Sequence, residues 1–348
     1  MKKIITILII IFQCTTLCAA PVRVGTTFSS VQCSYFEMDP KTTYLDVLDM
    51  GFGIIRLGAY WNRIEKEEGA YDFSELDWQI KEAKKQNIPA VLTVGMKAPR
   101  WPEYYIPDWV RGKAHLYPGG DVTRSNILRE ATLKFIEKVV LRYKDNPAVK
   151  YWQVENEALD RIGPDSWHIG KDFLKEEVGL VRKLDSGNRP IILTVATYPN
   201  KFLGILARIK VRHDPIKENL DLCDILGLNV YPMIGQQEFG LSFYFSTNRS
   251  EMDAYFTRLV NKIKDAGKIP WITEMQAEPW EPGHLVYPKK EEPRTGRREE
   301  TISTFKHMKS IGFTTILLWG AEYWLFRNTR HDDQRWTDTV KEILKDAQ

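Results

Sequence analysis

The sequence predicts an α/β protein, a closed (β/α)8 TIM barrel built as one domain. Three observations lead there. Eight short β-rich runs alternate with amphipathic helical patterns, the signature of βα units around a parallel sheet. Several of the runs are apolar almost throughout, such as Ile225–Val230 and Thr315–Trp319, as strands covered on both faces must be. No Gly-x-Gly-x-x-Gly follows the first strand and no Walker loop appears, which removes the open nucleotide-binding sheet as a rival.

The strand candidates are Val22–Thr27, Gly53–Gly58, Ala90–Val94, Val149–Val154, Pro190–Val195, Ile225–Val230, Pro270–Thr273 and Thr314–Trp319. Helical patterns lie between them. Pro40–Met50 is ended by Gly51. Ser74–Gln86 opens on Ser74 with Asp77 three residues later, a spacing that suits a capping pair. Ser125–Tyr143 sets Leu128, Ala131, Phe135 and Val139 on one face. Lys171–Leu184, Ser250–Lys264, Glu299–Ser310 and Thr337–Lys345 read the same way, and the helix after the fifth strand falls near Lys201–Lys210.

Composition narrows the function classes. The 348 residues are 43% hydrophobic and 27% charged with a net charge of +3, an ordinary globular balance. So small an excess, without a dense Lys/Arg block, speaks against a nucleic-acid partner. Eleven Trp and fifteen Tyr suit sugar binding where they fall on loops, because pyranose C–H faces stack on aromatic rings. The histidines and cysteines show no metal-ligand spacing, so no metal or cofactor is expected.

Residues 1–20 read as an export signal. Lys2 and Lys3 precede the apolar run Ile4–Phe12, which is too short for a comfortable bilayer span, and Cys18, Ala19 and Ala20 supply small residues. The expectation is a secreted or periplasmic protein. An uncleaved anchor stays open, and membrane contact is expected only in that case. Residues 21–348 then form the barrel domain, expected to be a monomer. Cys33 and Cys223 read as separate buried thiols, with pairing left open.

In a barrel of this kind the chemistry sits at the C-terminal ends of the strands. The second strand carries Arg56 and leads to Tyr60 and Trp61; the third leads to Lys97, Arg100 and Trp101. The fourth ends in Glu155-Asn156-Glu157, the sixth in Asn229 and Tyr231, the seventh in Glu274 and the eighth in Trp319. Glu157 and Glu274 therefore face one mouth. Two carboxylates at one mouth are what glycoside hydrolysis needs, one to protonate the leaving oxygen and one to attack the anomeric carbon or activate water. Arg56 and Tyr231 suit holding one carboxylate as an anion. Asn156 suits a sugar hydroxyl.

Trp152-Gln153-Val154-Glu155-Asn156-Glu157, Ile272-Thr273-Glu274 and Gly227-Leu228-Asn229-Val230-Tyr231-Pro232 resemble the corresponding strands of clan A glycoside hydrolases, the retaining barrel enzymes. Trp61-Asn62-Arg63-Ile64-Glu65 and Gly69-Ala70-Tyr71-Asp72-Phe73 are similar to segments of families 5, 35 and 42, with family 5 the nearest. The resemblance spans residues 22–345. It implies Glu157 as acid/base, Glu274 as nucleophile, Asn156 as partner of the sugar 2-hydroxyl, Tyr231 against the nucleophile, Arg56 beneath it and Trp319 as the floor of the sugar site. Ala158 stands where the clan often has proline.

Trp61, Trp101, Trp280 and Trp324 divide evenly between packing and sugar stacking, and the first three are taken as substrate-binding candidates. Glu155 reads as a surface or supporting carboxylate, and Glu278 and Glu322 as loop charges. The implied function is a retaining β-glycosidase acting on an oligo- or polysaccharide. A non-catalytic carbohydrate-binding barrel and a transglycosylase remain as alternatives.

Overall fold

The computed structural model describes residues 21–205, 214–238, 241–281 and 292–348. The expected export signal at 1–20 lies outside the described residues, as does the second half of the helix expected near Lys201–Lys210; residues 201–205 are helical.

The barrel is closed and parallel. Its strands are β1 (Arg23–Phe28), β2 (Ile55–Gly58), β3 (Ala90–Val94), β4 (Val149–Val154), β5 (Ile191–Ala196), β6 (Ile225–Val230), β9 (Ile269–Gln276) and β10 (Thr315–Trp319). They neighbour one another in that order and close by pairing β10 with β1. Between β6 and β9 the chain adds an antiparallel hairpin, β7 (Met233–Glu238) and β8 (Leu241–Ser246). All eight expected strands are present, with ends shifted by a residue or two. The exception is β9, which continues past Glu274 to Gln276.

The core has two parts. Outside the barrel, the apolar faces of the strands pack against the helices. Inside it, Ile54, Val91, Ile192, Ile225, Trp271 and Leu317 form an apolar plug. Above the plug the interior turns polar, with Thr27, Arg56, Gln153, Thr194 and Thr273 all buried. Gly227 makes that layer fit: a Cβ there would lie 2.5 Å from Thr273 and 3.0 Å from Thr194.

Local signals explain several helix starts. Ser125 caps the helix Asn126–Tyr143 by accepting from the Leu128 N–H. Asp39 caps Pro40–Asp49, with proline at the first turn. Asn248 caps Arg249–Asp265. The capping pair at Ser74 does not form. Phe73 holds the cap position without a side-chain bond. Asp77 instead accepts from Arg142 Nε and the Tyr143 hydroxyl, both at 2.8 Å, because a charged partner on the adjacent helix competes better than a backbone N–H.

Among the described residues, the helices Ser30–Tyr35, Trp61–Ile64, Asp108–Ala114, Pro215–Leu220 and Ala321–His331 escape the periodicity reading. Cys33 and Cys223 are both buried and free, so the disulfide left open by the sequence is not formed. Among the described residues no helix is long and apolar enough to cross a membrane.

Candidate active site

The Glu155-Asn156-Glu157 turn leaves β4 in an unusual conformation. Glu155 has φ +58° and Glu157 φ +47°, a left-handed backbone that costs on the order of 1–2 kcal/mol per non-glycine residue. Neighbouring strands hold it there. The Glu157 N–H donates to Thr194 Oγ1 at 2.8 Å, and Lys97 Nζ donates to the Glu157 carbonyl at 2.8 Å. Asn156 Oδ1 accepts from Gln153 Nε2 at 3.1 Å and from Thr194 Oγ1 at 3.2 Å. With that oxygen occupied, the two Nδ2 protons are what Asn156 has to offer a ligand.

Glu274 sits at the same end of the barrel on β9. Its Oε1 accepts from Arg56 Nη2 at 2.9 Å, and its Oε2 from the Tyr231 hydroxyl at 2.8 Å. Arg56 is fully buried in the barrel axis. Its Nε donates to Thr27 Oγ1 at 2.8 Å and its Nη1 to Gln153 Oε1 at 3.3 Å, so the guanidinium cannot swing away. Burial, and then the Glu274 carboxylate, push the Tyr231 phenol well above its ordinary value; it remains a donor.

Asn229 joins the two carboxylates. Its Cα lies opposite Glu274 in the β6–β9 register, about 4.8 Å away by strand spacing. Its Nδ2 donates to Glu157 Oε1 at 2.7 Å, and its Oδ1 accepts from Thr273 Oγ1 at 2.8 Å. Glu157 and Glu274 thus meet at one rim, in contrasting surroundings. Burial pushes Glu157 well above the usual carboxylate range, and the charges of Glu103, Glu274 and Asp160 push it further, against the opposing pull of Lys97. Glu274 has a guanidinium and a phenol on its two oxygens.

The aromatic candidates separate. Trp319 is buried, with the Arg100 guanidinium 4.1 Å and that of Arg56 5.6 Å from its ring centroid. Trp101 is 58% exposed and Trp280 39% exposed; the Trp280 ring meets Tyr231 edge-on at 5.5 Å. Trp61 is not at the mouth. It is fully buried, stacked on Phe135 at 5.3 Å, with its N–H on Glu65 Oε2 at 2.7 Å. Its helix turns the ring into the barrel wall, which makes it core rather than a sugar platform. Trp324 is likewise buried, donating to the Ala277 carbonyl at 2.6 Å.

Three glutamates expected to be peripheral are buried. Glu155 is completely covered, so the surface alternative falls and the supporting one stands. Glu278 and Glu322 both ion-pair with Arg100. Glu322 also accepts from the Ser29 N–H at 2.6 Å and belongs to a helix rather than a loop. Buried carboxylates survive where a cation and N–H groups meet them.

Glu103 was not singled out by sequence. It is 8% exposed, lies 3.1 Å from Lys97 Nζ, and feels Glu274 as well as acting on Glu157. It stands in mid-loop, beyond the reach of a strand-end rule. Among the described residues, no three His, Cys, Asp or Glu side chains are grouped to hold a metal.

Comparison with known proteins gives a consistent picture. Residues 42–186 match the model of glycoside hydrolase family 42, described as β-galactosidase. The match includes Asn156 and Glu157 and stops before Glu274. An Arabidopsis thaliana protein named for mannan endo-1,4-β-mannosidase activity is 26% identical over 187 residues, 45% of this chain and 44% of the relative. The β-galactosidase BbgII of Bifidobacterium bifidum is 32% identical over 120 residues, 31% of this chain and 17% of the relative. The chain therefore spans less than half the length of these curated relatives. Among solved structures, the β-galactosidase of Rahnella sp. R3 superimposes with a TM-score of 0.64 at 15% identity, covering 93% of this chain and 55% of that one. That likeness is one of fold. The chain is similar to clan A barrel glycosidases, and the matching family model is 42 rather than 5.

Proposed function

We propose that this chain is a retaining β-glycoside hydrolase in which Glu274 is the nucleophile and Glu157 the acid/base. The observation that carries the reading is the contrast between two carboxyl groups sharing one rim. Glu274 is held by Arg56 and Tyr231, partners that favour an anion. Glu157 is buried among other acids that favour its protonated form. A carboxyl buried among acids suits the proton donor, and one bonded to a cation and a phenol suits the nucleophile.

The steps are those of double displacement. Glu274 attacks the anomeric carbon while Glu157 gives its proton to the departing oxygen, leaving a glycosyl ester on Glu274. Glu157, now a carboxylate, takes a proton from water as the water attacks the same carbon and frees Glu274. Asn156 offers Nδ2 to the sugar 2-hydroxyl, a bond that gains strength as charge develops on the ring. Trp319 floors the sugar site, and Trp101 and Trp280 supply exposed rings along the rim for further sugar units. The substrate is an oligo- or polysaccharide with β-linkages. The names of the relatives make β-galactosides and β-mannans the first to assay.

The test separates the two roles. An activated aryl β-glycoside needs little help to depart, so Glu157→Ala is expected to keep much of its first step on that substrate and lose it on an alkyl or sugar glycoside. Glu274→Ala is expected to lose both. Equal rescue of the two variants refutes the assignment. The chain is further proposed to be exported to the periplasm or medium by residues 1–20; N-terminal sequencing of the mature protein from those fractions checks it.

A further inference from the structure

Glu155 has no place in the chemistry above, yet it is the most enclosed acid of the turn. Its carboxylate reaches across to the backbone just after β3. Oε1 accepts from the Met96 N–H at 2.8 Å and Oε2 from the Lys97 N–H at 2.5 Å. Gly95 makes this approach possible: it has φ +119°, and a Cβ there would lie 2.1 Å from Glu155 Oε1.

On its other side Glu155 meets Glu177, a fully buried residue of the helix Lys171–Leu184. Neither Glu177 oxygen has a hydrogen-bond donor among the described residues, although the two carboxyl groups stand within hydrogen-bonding reach of each other. Two ionised carboxylates do not pack together in a dry interior with nothing between them. One of them must carry a proton and donate it to the other. Glu155 already has two N–H donors and is the better anion, so the proton belongs on Glu177.

We propose that Glu155 and Glu177 share one proton, and that this pair pins the Asn156–Glu157 turn to the loop after β3, making Glu177 a positioning residue for the acid/base. The positioning half of this rests on the glycosidase reading; the shared proton does not. The direction of titration agrees. Burial pushes Glu155 up to about 7, and burial together with the Glu155 charge pushes Glu177 well above the usual range. The charged and titratable groups facing the pair are Lys97 and Tyr104 from the loop after β3, Asp121 beyond Tyr104, Arg129 from the helix Asn126–Tyr143 and Glu176 on Glu177's own helix. When base removes the shared proton to solvent, two buried charges repel across the seam and the left-handed turn loses its anchor.

Glu177→Gln tests this, because the amide still donates to Glu155 but cannot ionise. Infrared difference spectra read the proton directly. In a Glu157→Gln background, a protonated-carboxyl band that bleaches as pH is raised through the alkaline range is expected, and it should vanish when Glu177→Gln is added. In kinetics, kcat/KM on an activated aryl β-glycoside, whose departure needs no proton from Glu157, should hold to higher pH in Glu177→Gln than in the wild type. Glu177→Leu should lose on the order of tenfold to a hundredfold in kcat with KM little changed, the scale of a small misplacement of a catalytic group.

Should Glu177→Gln fail to fold, the band is compared between Glu157→Gln and Glu157→Gln carrying Glu177→Leu, where it should likewise vanish, and wild-type unfolding is followed with pH. Acids whose folded values are raised stabilise most below their unfolded value near 4.3, and that stability drains away as pH rises through the Glu155 value of about 7 and on through the higher value of Glu177. No bleaching band, or pH profiles of Glu177→Gln and wild type that superimpose, overturns the proposal. An intact band in a wild type that turns over no glycoside overturns the catalytic reading, and the positioning role with it, while the shared proton stands.

Discussion

The ends of β4 and β9 each present one glutamate to the same rim, and they differ in almost everything around it. Glu274 lies on a strand that continues past it to Gln276, and the register of that strand to both neighbours shifts beside it. Its side chain is met by a guanidinium and a phenol. Glu157 lies on a left-handed turn beyond its strand, kept in place by side chains borrowed from β5, β6 and the loop after β3. Burial and acidic neighbours push Glu157 well above the usual carboxylate range. On the proposed reading, chemically identical side chains acquire separate duties from the company they keep.

The sharpest way to break the contrast is Glu274→Gln. Without the anion there is no attacking group, and kcat on any β-glycoside should fall by on the order of 10⁴-fold or more, with the fold intact by circular dichroism. Next comes Arg56→Ala, which strips the cation from a buried carboxylate. Breaking one half of a buried pair costs about 3–5 kcal/mol, so denaturant unfolding should show a loss of that order together with a fall in kcat.

Glu103→Gln probes the other side. Its charge is the largest electrostatic influence raising Glu157, so neutralising it lets Glu157 ionise more easily. The alkaline limb of kcat/KM on an alkyl glycoside should move to lower pH. An unmoved or raised limb contradicts the assignment of Glu157 as the acid. The smallest effect on stability is expected at Trp101→Ala, within about 0.5 kcal/mol for an exposed side chain, with KM rising on polymeric substrates. Trp61→Ala serves as its control, costing about 3–5 kcal/mol as a buried aromatic and changing KM little in whatever protein still folds.

These pairs mark how far the sequence could be read. Glu157 and Glu274 were legible because an apolar run that stops at a polar residue identifies a strand end, and barrel strand ends share a mouth. Tyr231 followed from the same rule, and Arg56 from being a charge inside the second strand. Trp61 and Trp101 looked alike, since both follow a strand closely; which way a ring turns depends on whether a neighbouring helix supplies a Phe135 to cover it. Glu278 and Glu322 were misjudged because their partner, Arg100, lies far away in sequence, and Glu103 was passed over because it stands in mid-loop, where no strand end marks it. The hairpin β7–β8 and the helices of four to seven residues are too brief for a periodic pattern to emerge, and Ala321–His331 is buried along its whole first half, so it has no polar face there to mark it. The Glu155–Glu177 contact joins a turn to a helix and leaves no local mark at all.

Arg100 has a consequence of its own. A single side chain fastens the loop that carries Trp101 to Glu278, just after β9, and to Glu322, just after β10, while Glu322 reaches back to the start of the barrel at Ser29. Segments that shape the rim are therefore not interchangeable parts. A graft that imports one of them from a relative strands a charge in the two left behind, so retargeting this scaffold to a new glycan calls for exchanging all three together or replacing the guanidinium and both acids with apolar residues of matching volume.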